Sequence, residues 1–417
     1  MKWLIAIILI PNFVFSQKDT TILLENVNKN LVKWNTEFNF TTNGLNQSFL
    51  NSFTDGGDIS VDIKNQWLDL SKESNTIYFE LNNSISYQNN IKKFGLEIAD
   101  RNIINVSVSK DLLRLALFGN YNYQNKNLNI SNTNIRLNRF QQFKFYYDFK
   151  YKKLNIKTGL SYLIGNYLTS YNIKSGNIYT ANYGSTIDIN YDMKAYVSDT
   201  SNINPFANNG NGVAYDLIIN FKIKDFKIEA YMYDIGSIKW KNSSIAYSAD
   251  STFIFSGVEV ENILNFNDSI LDEYSNNDIF TNENSKVTSY IPGQFGFYVT
   301  KNNNNKKISS YSGGINFKWQ PHTTNKSESF SKLLENGFIE SNYTPLIWSS
   351  TTYETKYIDI IPKFSFGGYS NDLNIGTVLK IGKKKNSFNL GTYNLEDIIN
   401  GENAKALSFI LQFIKQF

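Results

Sequence analysis

The chain has no cysteine at all, and a single histidine, His322, among its 417 residues. The first absence removes disulfide scaffolds, thiolate metal sites and thiol nucleophiles together. The second removes any metal site built on several histidines and leaves a Ser-His-Asp triad one loop residue to work with. His322 lies in WQPHTTN with no matching serine or paired-acid pattern beside it, so it reads as a plain loop histidine. No catalytic, cofactor-binding or metal-ligating residue is assigned, and the chain does not read as an enzyme. Proline is scarce, six in all, with none between Pro11 and Pro205. An excess of one charge is missing too: 41 basic and 37 acidic side chains are interspersed for a net +4, which excludes a nucleic-acid footprint. The basic clusters KNNNNKK (301–307) and GKKKN (382–386) read as solvated turns.

Long hydrophobic runs are absent beyond the N-terminus. No later run approaches the ~18 residues of a membrane helix, which excludes a helical membrane bundle. The opening MKWLIAIILIPNFVFSQ reads as a secretory signal peptide over residues 1–16, because its apolar run is short for a span and Pro11 interrupts it. The remainder, 17–417, reads as one domain. An exported chain without an anchoring helix is either a soluble secreted protein or a barrel.

What the sequence does have is alternation and aromatic surface, with 15% Phe, Trp and Tyr. From about Ile77 onward, two-faced stretches of ~10 residues alternate with turns or polar loops. In QFKFYYDFKY, residues Phe143, Phe145, Tyr147, Phe149 and Tyr151 share one face; Gln142, Lys144, Asp148 and Lys150 share the other with Tyr146. YDLIINFKI sets Tyr215, Leu217, Ile219, Phe221 and Ile223 against Asp216, Asn220 and Lys222, and GGINFKWQ sets Ile315, Phe317 and Trp319 against Asn316, Lys318 and Gln320. A soluble sandwich alternates in the same way. Loop lengths favour the membrane barrel, since short connections such as KIKDFK alternate with long polar ones at 198–212, 243–287 and 321–343.

The fold expected is therefore all-β: a closed antiparallel transmembrane β-barrel of about 14 strands, within 12 to 16, carrying short helical segments near its N-terminal part. Residues 17–74 alternate less regularly and are expected to form a plug or periplasmic segment. SKDLLRLALFGN reads as a short helix, with Ser109 as N-cap and Gly119 as stop, packed in or beneath the barrel.

Taken in order, several stretches resemble a family of Bacteroidota outer-membrane barrels of unknown function, related to the long-chain fatty-acid-transporter-like and secretion-accessory barrels. They are DIKNQWLDL, KDLLRLALFGN, NGNGVAYDLIINFKI with IEAYMYDIGSIKWKN after it, SYIPGQFGFYVT, and GTYNLEDII before the final strand. The resemblance implies the outer membrane of a Gram-negative bacterium and passive transport of a small molecule, in one version a hydrophobic one. The alternative is a non-transporting accessory or structural barrel of a surface secretion or motility machinery. Partners so implied are outer-membrane lipid, the barrel assembly machinery and secretion or motility proteins; no cofactor is implied.

Four residue groups carry these expectations. Lys144, Asp148, Lys150, Asp216, Asn220 and Lys222 are expected to face the lumen. Strict alternation from Phe226, Ile228, Ala230 and Met232 would push Asp234 into lipid at a cost of a few kcal/mol, so the strand should either reach the membrane interface there or bulge, with Gly236 permitting the bulge. Trp240 would then join an aromatic girdle, and the kink would be a candidate lateral opening. Gly210 and Gly212 precede a strand rather than a helix, which fits a turn or close backbone approach at the strand entry better than phosphate binding. Finally, ALSFILQFIKQF alternates, so its odd face is expected to meet lipid and its backbone to pair with the first strand, with Lys415 at the periplasmic interface and Phe417 as the assembly signal.

Overall fold

The computed structural model describes residues 30–55, 59–255, 281–303, 307–326, 328–382 and 386–417. The expected signal peptide lies outside them. Fourteen antiparallel strands, each bonded to its neighbours in sequence order, close into a barrel. They are β1 Leu31–Thr42, β2 Ser74–Asn89, β3 Phe94–Ser109, β4 Thr133–Tyr151, β5 Leu154–Thr180, β6 Gly210–Ile223 and β7 Phe226–Trp240. β8 Gly293–Asn302, β9 Ile308–Trp319, β10 Thr344–Glu354, β11 Ile358–Gly368, β12 Asp372–Ile381, β13 Asn386–Thr392 and β14 Ala406–Gln416 complete it. The seam runs from Leu31 opposite Gln416 to Thr41 opposite Ala406, and Asn30 and Phe417 exchange both backbone hydrogen bonds at 3.0 Å. A closed ladder leaves no open edge, so the wall strands satisfy one another's backbone groups without water.

The two ends differ. Both described termini and six short connections share one end, the turn end; the helices and most long connections share the other, the loop end. Residues 31–42, expected within a plug or periplasmic segment, are instead the first wall strand. Their signal is the even face of Val32, Trp34, Phe38 and Phe40, which Thr36 interrupts. Next come α1 Gln47–Asp55 and α2 Val61–Leu70, and after β3 comes α3 Lys110–Phe118. Leu45, Phe49, Trp67, Leu113 and Leu117 pack together there, so α3 caps the loop-end rim rather than lying in or beneath the barrel. Its ends match the expectation: the Ser109 hydroxyl accepts from the Leu112 N–H at 3.1 Å and Gly119 ends it at φ 71. α4 Phe330–Ile339 and α5 Leu395–Asn400 complete the helices. β5 overshoots the wall, and its upper half pairs outside the barrel with Ile187–Val197, which in turn pairs with Ile245–Phe255.

The alternation sorts side chains between outside and lumen. On β4, Phe143, Phe145, Tyr147, Phe149 and Tyr151 are exposed while Gln142, Lys144 and Tyr146 are buried. On β14, Leu407 and Phe413 are exposed while Ser408, Ile410, Gln412 and Ile414 are buried. Exposed apolar residues on most strands, among them Trp34, Ile98, Leu160, Val213, Phe297, Ile347 and Phe364, form an outer surface far larger than soluble monomers present to water. Lys415 is exposed on the outward face two residues from the turn-end terminus. No helix among the described residues is long and apolar enough to cross a membrane.

Candidate functional site

The site begins with one extra residue in β7. Tyr215 on β6 lies opposite Ile235, but Leu217 lies opposite Met232, so Asp216 alone faces both Tyr233 and Asp234. Asp234 takes the extra position in the left-handed region, φ 56. Aspartate tolerates that conformation better than most residues with a side chain. The bulge also flips the phase of the strand. Before it the odd residues Tyr231 and Tyr233 are buried; after it the even residues Ile238 and Trp240 are.

Three expectations change as a result. Asp234 is turned into the barrel and is 3% exposed. Trp240 is in the interior, not a girdle, and its indole N–H donates to the Ser289 hydroxyl at 2.8 Å. Gly236 is not the residue with unusual backbone; it is needed because a Cβ there would lie 2.2 Å from the Val213 carbonyl oxygen. The wall continues past the bulge. The Ile291 N–H bonds the Gly236 carbonyl at 3.2 Å, Tyr290 faces Ser237, and the Ile235 side chain fills the space a Cβ on Gly293 would need. Outside this stretch lies α4, with Phe338 against Phe295 at 5.4 Å and the Leu333 carbonyl accepting from the Trp319 indole at 3.1 Å. The candidate lateral opening is thus a closed, covered bulge. Gly210 and Gly212 let β6 approach: a Cβ on Gly212 would sit 2.1 Å from the Ser237 carbonyl oxygen, and one on Gly210 would meet Ile238 and Trp240.

Inside, Asp234 is the centre of a charged layer. Its carboxylate accepts from Arg101 Nη1 at 2.8 Å, Gln142 Nε2 at 2.8 Å and Lys144 Nζ at 3.0 Å, and its N–H donates to Asp216 Oδ1 at 2.7 Å. Lys144 also bonds the Asp216 carboxylate, and Arg101 bonds Glu80. Glu80 accepts from the Tyr78 hydroxyl at 2.6 Å and lies 3.8 Å from Lys318 Nζ. Three carboxylates thus meet three cations, drawn from β2, β3, β4, β6, β7 and β9, and all six groups are buried. Beside this layer, along β7 to β10, Asn316 accepts from the Tyr231 hydroxyl at 2.5 Å and from the Trp348 indole at 3.3 Å, and Tyr298 packs beside them.

On the loop side of this layer the lumen is filled. Tyr78 stacks on Tyr369 at 3.9 Å, and Tyr343 meets Tyr369 edge-on at 4.8 Å. Arg136 on β4 reaches the connection between β9 and β10, donating to the Gln320 carbonyl at 2.8 Å and to that of Glu340. That connection also carries His322, whose N–H donates to the Glu340 carboxylate at 2.6 Å. Burial, then the Arg136 charge, push the His322 imidazole down to about 3, which keeps it neutral at physiological pH.

On the turn side a cavity of about 890 Å³ opens. Lys144, Asp148, Lys150, Asp216, Asn220 and Lys222, all expected to face the lumen, all line it. Glu80, Arg101, Arg136 and the interior tyrosines escape sequence reasoning. Arg101 sits in ADRNIINVSVS, where Ala99, Arg101, Ile103, Asn105 and Ser107 form the buried face. Its signal is a lone charge on an inward face, at a height only the barrel register reveals.

No curated protein matches the chain in sequence. Among solved structures, the toluene transporter TbuX of Ralstonia pickettii is similar at 9% identity and TM-score 0.42, over 94% of this chain and 90% of that one. The toluene transporter TodX of P. putida is similar at 6% identity and TM-score 0.42, over 94% and 91% of the two chains. Residues 26–392 match a family of unknown function, DUF5723, and the chain belongs to that family.

Proposed function

We propose that the protein is an outer-membrane barrel of a Gram-negative bacterium, of the Bacteroidota kind its motifs resemble, which passes a small molecule through a gated lumen. The apolar outer surface supports the membrane, and the short-turn and long-loop asymmetry supports turns on the periplasmic side. Phe417 would then be the assembly signal, and the barrel assembly machinery and outer-membrane lipid its first partners. The observation that carries the gate is the charged layer at Asp234. A permanent plug is more stable when built from packed apolar side chains than from six desolvated charges, so ion pairs joined to a left-handed aspartate mark an element held ready to rearrange. The cavity volume falls within the ~300–1,000 Å³ range of small-molecule sites. Its lining sets lysines, carboxylates and amides among apolar side chains such as Ile218, Phe221 and Ile414, which favours an amphiphilic cargo.

The alternative is a non-transporting accessory barrel of a secretion or motility machinery. The filled lumen favours it, as do the exposed apolar side chains of Val61, Leu70, Ile398 and Ile399 on the loop-end helices. One experiment separates the two. Cell fractionation and mobility on unheated gels establish the folded outer-membrane barrel, and solute flux into proteoliposomes is then compared for wild type and the charge-balanced Arg101→Gln/Asp234→Asn variant. The gate predicts low wild-type flux that rises several-fold in the variant. A folded variant as impermeable as wild type would leave the accessory role standing.

A further inference from the structure

Each of three neighbouring turns at the open end of the cavity sets a lysine in left-handed backbone: Lys93 between β2 and β3 at φ 57, Lys152 between β4 and β5 at φ 52, and Lys224 between β6 and β7 at φ 50. Glycine or asparagine would hold that conformation at less cost, so the choice of a long cation three times in a row needs another cause. All three line the mouth of the same cavity, together with Lys150, Lys153 and Lys222. The lining as a whole carries ten lysines against five carboxylates. The salt bridges here engage Lys144, with Asp216 and Asp234, and Lys227, with Glu229; among the described residues none engages the six mouth lysines. Positive charge therefore gathers at the rim, where Asp148 is the acid that Lys93 and Lys150 act on, while the buried Asp216 and Glu229 lie deeper, where the walls are of low dielectric and focus the field.

We infer that this vestibule binds a small organic anion, a carboxylate or phosphate compound, presented from the turn side. The lysines act as mobile point charges that capture the anionic group, while hydrogen-bonding groups further in, such as Asn155 and Asn220, meet the rest of the molecule. This goes beyond the transport reading, because the anion binds whether or not the charged layer ever opens.

The test uses the full chain folded in detergent, with 5-carboxyfluorescein as probe and fluorescence anisotropy as readout. Citrate and inorganic phosphate serve as competitors, and the stronger of them identifies the carboxylate or phosphate source. Lys93→Gln/Lys152→Gln/Lys224→Gln should weaken probe binding about tenfold, from three partly screened charges. The matching Lys→Arg triple should retain binding, and Lys174→Gln/Lys194→Gln/Lys332→Gln, away from the mouth, should leave it unchanged. In wild type, whatever the fate of the variants, the bound probe should protect Lys93, Lys152 and Lys224 from acetylation, read by mass spectrometry. Absence of wild-type probe binding at millimolar concentration, equal loss in the distant triple, or unprotected mouth lysines would each overturn the inference. Flux in proteoliposomes is a separate measurement, so failure here and failure of transport are told apart.

Discussion

Asp234 ties together side chains from three strands of the interior. It is the extra residue of the bulge, the acceptor for three side-chain donors, and a neighbour of Asp216 through its own N–H. Replacing it by leucine removes one carboxylate and leaves Arg101 and Lys144 with one anionic partner each, Glu80 and Asp216. Breaking one side of a buried charge network costs about 3–5 kcal/mol, whereas removing both sides together is far cheaper. Asp234→Leu should therefore lower unfolding stability by about that amount, and Arg101→Gln/Asp234→Asn by clearly less than the sum of its single variants. Urea titration read by the heat-modifiable gel shift checks both. Additive effects would mean that the two side chains do not act as one unit. The bulge is only half legible in the sequence, because an acid that strict alternation aims at lipid needs either the membrane interface or a change of phase, and the register decides for the second. The partners of Asp234 are not legible, since nothing local to Glu80, Arg101 or Asp216 says that three separate hairpins meet at one height.

Among elements, β7 shows why a sequence can suggest a bulge yet mislead about the residues beyond it. The alternation from Phe226 to Met232 is clear, and the run from Gly236 to Trp240 alternates as well, but one residue inserted between them exchanges the two faces. Alternation alone therefore sends Trp240 to the outside, and its burial has the same cause as the inward turn of Asp234. In β1 the obstacle is Thr36 on the outer face, which makes a twelve-residue wall strand read as part of a plug or periplasmic segment. The close β6–β7 approach is the most testable part of this region. Gly212→Ala would drive a Cβ to 2.1 Å from the Ser237 carbonyl oxygen, which is backbone and cannot move aside cheaply. A loss of about 1–3 kcal/mol is expected, as for other overpacked sites. Gly313→Ala is the control, because its nearest neighbour would lie at 3.4 Å, an ordinary contact. Equal urea midpoints for the two variants would show that the strands are not packed this closely.

For the whole molecule, the lumen, the charged layer and the vestibule all depend on closure: they exist only if β14 returns to β1. An open sheet of the same strands would expose two edges and give the outer apolar face no defined inside. The absence of cysteine makes closure directly measurable, since any introduced pair supplies the only thiols. Val32 and Lys415 are direct partners across the seam, and directly opposed residues have Cα atoms ~4.5–5.5 Å apart, within disulfide reach. Val32→Cys/Lys415→Cys should oxidise readily, and the heated, non-reduced protein should run faster than the reduced one because nearly the whole chain becomes a loop. Asn386 pairs with Lys415 from the far side of β14, so Val32→Cys/Asn386→Cys lies two strands apart and should stay reduced. Crosslinking of neither pair would mean that the terminal strands do not meet. Crosslinking of both would mean that the register slips, and with it every assignment of a side chain to lumen or lipid.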